Sequence, residues 1–475
     1  MSKGFSFQSQ TDTEVIPNLI EYFMREKDFF EATKLAINKL EGSYAIVALH
    51  QGEDKIIAAR KESPLVIGVG ENEYFVASDI PPFLEHTKKV IYLEEKDLVL
   101  INNEIKIFNL KENSFVKRPV NTVEWNIEQA EKGNFEHFML KEITEQTETI
   151  NRALQQNEKV IKEVANLIKS AKGIYFVACG SSYHACLSAA YKFSSIAKMH
   201  VNVALASEFS NYKDFIIPES LVIAVSQSGE TADVLYAVRA AKEKGAKIVS
   251  IVNVIGSSLT RESDKALLMN SGPEICVLST KTYTAQLAIL TLLAYTVVGR
   301  YEDGKRKLTD LINYVYHLTS ANARKFIKRL AKKIKNSEHI YTIGRGLQYP
   351  TALEAALKIK EVSYIHVEGF AGGELKHGTI ALIEKRTPCI VFTSEQTENE
   401  ILSNAMELKA RGAYLIGIGP SNNEVFDFFI KVVEAEEANS ICQIIPIQIL
   451  AYQLALLRGY DPDHPRNLAK SVTVK

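Results

Sequence analysis

One α/β unit is written twice in this sequence. The first copy opens Ile174-Tyr175-Phe176-Val177-Ala178-Cys179-Gly180, and the second opens Ile340-Tyr341-Thr342-Ile343-Gly344-Arg345-Gly346. Tyr183 and Tyr349 hold matching places in the helical pattern that follows each. A short apolar run that ends at a glycine and gives way to a helical period is a strand-turn-helix signature. Downstream, Leu221 to Val225 ends at Ser226, and Cys389 to Thr393 ends at Ser394. A charged helix follows in both copies and closes on Lys244-Gly245-Ala246 or Arg411-Gly412-Ala413, a basic last turn before a terminal glycine. Apolar strands return at Ile248 to Val252 and Tyr414 to Ile418. Strands alternating with helices at this spacing predict parallel sheets covered on both faces. Ligands in such sheets bind outside the carboxyl ends of the strands. The chemistry is therefore expected after Val177, after Val225 and at their counterparts.

The first 120 residues differ. Ser43 to Leu49, Lys55 to Ala59, Leu65 to Val69, Tyr74 to Ala77, Val90 to Leu93 and Asp97 to Ile107 are strand patterns divided by turn residues, behind a helix at about Glu14 to Arg25. The polar stretch from Val116 to Gly133 reads as a linker, and Phe135 to about Lys169 as helix. Tyr460 to Lys475, with Pro462 and Pro465, reads as an irregular segment laid over a surface. The expected organisation is a β-rich unit at 1–118, a linker and its helix at 119–155, repeated domains at 156–315 and 316–459, and a tail at 460–475.

A net charge of −1 gives no global pull toward nucleic acid or an anionic membrane. The longest apolar stretch, Leu287 to Val298, is interrupted by Thr291, Tyr295 and Thr296; it is too short to span a bilayer and reads as a buried helix. Met1-Ser2-Lys3-Gly4-Phe5 lacks the apolar core of a signal peptide. Five cysteines are scattered without a CxxC pair or a Cys/His set, which fits reduced, mostly buried thiols in the cytoplasm and no metal site. Nothing in the pattern asks for a cofactor.

Ser226-Gln227-Ser228-Gly229-Glu230-Thr231 follows a strand and precedes a helix. Backbone N–H groups and the helix dipole favour an anion there. A lone serine would be an ordinary N-cap; this run of hydroxyls, amide and glycine exceeds what capping needs. No Gly-Lys-Ser/Thr follows, so the expected phosphate belongs to a sugar rather than a nucleotide. The second copy, Ser394-Glu395-Gln396-Thr397-Glu398, lacks the glycine and carries two carboxylates, so only the first should hold a phosphate. Ser181 and Ser182 are placed to add hydroxyls or to serve as plain turn residues.

Lys358, Glu361, Glu374, Lys376 and His377 form a second cluster. Lys358 and Glu361 share a face of an apolar helix, either as a surface ion pair or as part of a site. The apolar setting and the adjoining glycine-rich loop favour a site, with a structural role for His377 as the rival.

At these residues the sequence resembles the glutamine–fructose-6-phosphate aminotransferases. The likeness is carried by Cys179-Gly180-Ser181-Ser182-Tyr183, the Ser226 to Asp233 loop, Glu274 to Gln286 with Ser279-Thr280-Lys281, Glu374-Leu375-Lys376-His377-Gly378, and the ending Pro465 to Val474. The resemblance implies two tandem sugar isomerase (SIS) domains that turn fructose 6-phosphate into glucosamine 6-phosphate. It implies that Ser226, Gln227, Ser228, Thr231 and Ser182 hold the phosphate, and that Ser181, Val277 and Ala469 contact the sugar. Lys470 would form a Schiff base with the C2 ketone, Glu361 would move a proton between C1 and C2 beside Lys358, and His377 would assist ring opening. The family's histidine reaches into a neighbouring subunit, which implies a homodimer. Without the resemblance, Lys470 would pass for a disordered tail lysine.

The chain also departs from that family. No cysteine precedes Cys179, whereas the family opens on a nucleophilic one. Thr11-Asp12-Thr13-Glu14, Ala59-Arg60 and Ser63 to Gly68 match the later part of an Ntn-type glutaminase domain, with Asp12 a remnant of the glutamine site. The expectation is a partial glutaminase unit with exposed sheet edges, unable to hydrolyse glutamine alone and supplied by ammonia or by a separate chain completing the domain. The alternatives are an isomerase or deaminase only, or a non-catalytic sugar-phosphate sensor, which would need the phosphate loop but not Glu361, His377 or Lys470.

Overall fold

A computed structural model describes residues 5–123 and 130–472. The expected opening Met1-Ser2-Lys3, residues 124–129 of the expected linker and Thr473-Val474 of the terminal motif lie outside the described residues.

The repeat forms two parallel five-stranded sheets. The first holds β10 (Gly173–Ala178), β11 (Asn202–Leu205), β12 (Ser220–Ser226), β13 (Lys247–Val252) and β14 (Lys265–Leu268), in the order β11-β10-β12-β13-β14. The second holds β15 (His339–Gly344), β16 (His366–Ala371), β17 (Pro388–Phe392), β18 (Tyr414–Gly419) and β19 (Phe428–Lys431), in the order β16-β15-β17-β18-β19. Every residue of β12 is buried, as expected for a strand covered on both faces. In this order the chain leaves the first strand of each sheet to one side and returns on the other, so a crevice opens at the carboxyl ends of β10 and β12.

The two sheets share one hydrophobic core that contains Phe176 and Ile223 of the first and Ile390 and Ile416 of the second. Helices Lys281–Val297 and Asn439–Leu457 run through it, and all residues of the former are buried. Asn439–Leu457 belongs to the one helix among the described residues long and apolar enough to cross a membrane, but most of its apolar length is buried within the fold. Helices Gly180–Lys192 and Gln348–Ser363, which follow the first strand of each repeat, pack on each other and bring the second repeat to the mouth of the first crevice.

The N-terminal unit is two antiparallel sheets. One holds β1 (Tyr44–Leu49), β2 (Ile56–Lys61), β6 (Asp97–Ile101), β7 (Ile105–Asn109) and β8 (Ser114–Val116); the other holds β3 (Val66–Val69), β4 (Tyr74–Ala77), β5 (Lys89–Tyr92) and β9 (Val120–Thr122). Ala58 and Val99 of one pack with Ile67 and Ile91 of the other. Three expectations need correction. Asp97 to Ile107 is a hairpin, because Asn102 turns the backbone by accepting the Glu104 N–H. The presumed linker starts at the last residue of β8 and supplies β9; Val116 and Val120 of these strands pair with Ile107 and Ile91. The long helix after Phe135 is three: Phe138–Thr144, Gln146–Ala153 and Glu158–Ser170, the last restarted by an Asn157 N-cap. Strand β1 is a sheet edge on which Val47 and Leu49 are exposed.

Candidate active site

The loops after β10 and β12 diverge at the crevice and line a cleft of about 360 Å³. Its walls include Ser181, Ser182, Ser226, Gln227, Ser228, Thr231 and Val277, with Ala469 and Lys470 from the tail and Lys358 and Glu361 from the second repeat. The turn after β12 is shaped by its own hydroxyls. Ser226 Oγ accepts the Gly229 N–H at 3.1 Å and lies 3.1 Å from Thr231 Oγ1. Gly229 has φ +67°, and a Cβ there would stand 2.2 Å from Ser257 Oγ, so only glycine fits. The result is a ring of donors at the start of helix Ala232–Glu243.

On the opposite wall Lys358 is almost fully buried. Its ammonium lies 2.8 Å from Glu361, 3.5 Å from Glu354 and 3.3 Å from the Ser279 carbonyl. Burial works against that charge, but Glu361 and Glu354 outweigh it and raise the ammonium above its ordinary value. This is not the exposed ion pair that a Lys–Glu spacing of three usually makes. Glu354 is 0% exposed and also meets His184 Nδ1 at 2.7 Å, which ties the two repeats together.

The tail is ordered by specific contacts. Asp463 accepts the N–H groups of Phe138 and Met139, both at 2.8 Å, and the Arg466 N–H donates to the Tyr364 hydroxyl at 2.8 Å. Ser471 Oγ lies 3.0 Å from Ser228 Oγ, and the Val472 carbonyl accepts the Ala232 N–H. Between these anchors Lys470 Nζ donates to Glu274 at 2.6 Å and to the Cys276 carbonyl at 2.8 Å. Burial works against the Glu274 charge, yet Lys470 and the N–H groups of Thr280 and Thr282 outweigh it and hold the carboxyl below its usual range.

Glu374, Lys376 and His377 do not join this cleft. All three are exposed on a turn beyond β16, where Lys376 pairs with Glu407 at 2.7 Å. The cluster expected from sequence proximity is therefore split within one chain, because β16 carries the backbone away after helix Gln348–Ser363. Asp12 is exposed on a short turn of the N-terminal unit and lines no part of the cleft. Sequence reasoning passed over Glu274 and Glu354. A signal existed for Glu354: it completes a Glu354, Lys358, Glu361 row along one face of an apolar helix.

Behind Lys470 lies Glu142, whose Oε1 accepts the Ile275 N–H at 2.6 Å and whose Oε2 is buried without a partner. Burial, with the nearby Glu274 charge, pushes its carboxyl from 4.5 up to about 8. A raised carboxyl adds stability that is complete below its ordinary value and lost as the pH rises through the folded one. Stability should therefore fall from about pH 5 to about pH 8, and Glu142→Gln should flatten that slope in urea unfolding measured across the range. An unchanged slope would mean that other groups govern it.

Two family models match. One is described as SIS domain, over residues 167–296 and 333–458, and one as glutamine amidotransferase domain, over residues 1–85. Glutamine–fructose-6-phosphate aminotransferase [isomerizing] of Thermococcus kodakarensis is 45% identical and covers all of this chain and 81% of that protein. The Methanothermobacter thermautotrophicus protein of the same name is 43% identical with the same coverage. Among solved structures, the C-terminal domain of glucosamine-fructose-6-phosphate aminotransferase from Francisella tularensis superposes with a TM-score of 0.63 at 32% identity, over 70% of this chain and all of that one. A glucosamine-6-phosphate deaminase from Thermotoga maritima gives 0.58 at 27% identity, over 70% of this chain and 99% of that one.

Proposed function

The chain belongs to the glutamine–fructose-6-phosphate aminotransferase family, and on that premise we propose that it converts fructose 6-phosphate into glucosamine 6-phosphate by isomerisation and amination. The observation that carries this reading is the meeting, in one cleft, of a donor-rich turn, a lysine paired with a buried carboxylate and a carboxylate paired with a buried lysine. Ser226, Gln227, Ser228, Thr231 and Ser182 hold the phosphate, while Ser181, Val277 and Ala469 contact the sugar. Lys470 passes a proton to Glu274 and attacks the C2 ketone; loss of water leaves an imine that accepts electrons better than the ketone. Ammonia displaces Lys470 from C2. Glu361 then takes a proton from C1 and returns it to C2, while the O1 hydroxyl proton passes to the imine nitrogen, which leaves the amine at C2 and the aldehyde at C1. Lys358, 2.8 Å away, holds the Glu361 carboxylate in position for that task.

The exposed position of His377 suits a role in ring opening at the site of a second copy, so the working unit is a homodimer. Five unpaired cysteines fit a reducing cytoplasm. Nitrogen meets the C2 imine as ammonia, free or supplied by a separate chain. Incubation of this polypeptide with fructose 6-phosphate and ammonium should yield glucosamine 6-phosphate. Exchange of solvent protons at C1 without amination would favour the isomerase reading. Neither product nor exchange from folded protein would overturn catalysis and leave a sugar-phosphate sensor.

A further inference from the structure

The turn assigned to phosphate carries a charge of the wrong sign. Glu230 stands between Gly229 and Thr231 at the start of a helix, where a carboxylate facing the cleft would oppose an anion. Its side chain is turned the other way and lines no part of the cleft. The carboxylate accepts the Ser258 N–H at 2.7 Å and the Ser258 hydroxyl at 2.8 Å, and it faces the Arg60 guanidinium at 3.5 Å. Arg60 lies on β2 of the N-terminal unit, is 2% exposed, and is clamped by the Leu93 and Glu62 carbonyls and by Glu95. Beside it the Tyr92 ring occupies the space that a Cβ on Gly256 would need, 2.5 Å away. The N-terminal unit thus presses directly against the back of the turn.

We propose that Arg60 is a positioning residue for the sugar-phosphate site: it holds the Glu230 carboxylate behind the turn, so that only N–H and hydroxyl donors face the phosphate. The inference rests on the reading that the Ser226–Thr231 turn binds that phosphate. Without that guanidinium, Glu230 keeps Ser258 and the more distant charge of Arg261, which itself donates to the Ser258 hydroxyl, and its less fully compensated negative charge acts on the bound anion. The N-terminal unit would then contribute to the electrostatics of a cleft that it does not line.

Steady-state kinetics with ammonium, together with inhibition by inorganic phosphate, separates this from a general structural role. Arg60→Ala is expected to raise the KM for fructose 6-phosphate and the inhibition constant of phosphate about tenfold, with kcat changed by less than about twofold. Arg60→Lys should recover most of the loss, and Arg60→Ala/Glu230→Gln should return to the value of Glu230→Gln alone. Ser258→Ala, which leaves the N-terminal unit untouched, should shift both constants in the same direction and be relieved by Glu230→Gln; it decides the matter should Arg60→Ala fail to fold. An unchanged KM in Arg60→Ala, or a double variant as weak as Arg60→Ala, would overturn the proposal while normal wild-type kinetics kept the functional reading. A wild-type chain that neither turns over fructose 6-phosphate nor responds to phosphate would overturn both.

Discussion

Glu361→Gln is expected to lower kcat by about 10²–10⁴-fold, the usual worth of a positioned proton-transfer group, while the KM for fructose 6-phosphate stays within about threefold. The split follows from geometry. Glu361 lines the cleft but is not part of the hydroxyl-rich turn, so its loss would remove the proposed proton carrier and leave the proposed phosphate contacts in place. Glutamine keeps the shape and one oxygen acceptor for Lys358, which now lies 2.8 Å from the carboxylate. Single-turnover assays with ammonium and exchange of deuterium into C1 would read the chemical step directly. A kcat near wild type would assign the proton transfer to another group.

Lys358→Met should be the most damaging single change for stability. Lys358 lies within 3.5 Å of both Glu354 and Glu361, and Glu354 is wholly buried. Removing the cation leaves the Glu354 carboxylate in a low dielectric with only His184, at 2.7 Å on one oxygen, as a partner, a loss of about 3–5 kcal/mol when one partner of a buried pair is deleted. The same site lies where helices Gln348–Ser363 and Gly180–Lys192 pack, so the loss should appear in the transition of the repeated core rather than in that of the N-terminal unit. A chain of several units is not a two-state system, so urea unfolding needs a probe in each. Lys358→Met/Glu354→Gln should recover much of the loss, since it removes the stranded charge. Equal midpoints for the wild type and Lys358→Met would show that the pair contributes nothing net.

Much of the site was legible because it is local in sequence. The Ser226–Thr231 turn announces itself within six consecutive residues, and the same segment supplies the donors in the fold. Lys358 and Glu361 were legible for a similar reason, since an i, i+3 spacing on a helix places two side chains together whatever the helix packs on. Glu274 was not. Its partner Lys470 is 196 residues away, and nothing in a sequence states that a tail segment will be anchored beside it. His377 shows the converse: closeness in sequence to Lys358 does not place both in one cleft of one chain, because a single strand, β16, carries the backbone away.

By itself the sequence determined the repeat, the parallel sheets, the crevice at the carboxyl ends of β10 and β12 and the chemical types gathered there. Those depend on periodicity, on glycine placement and on helix termini, all of which act over a few residues. Only the tertiary structure decided that Lys358 is buried rather than solvated, that the tail is anchored with Lys470 against Glu274, and that Arg60 of the N-terminal unit stands behind the turn at Glu230. Each of these is a pairing of charges brought together by packing between segments far apart in the chain. The strength and even the sign of a charge's contribution depend on burial and on the partner it meets, and both are set only when the separate elements close on one another.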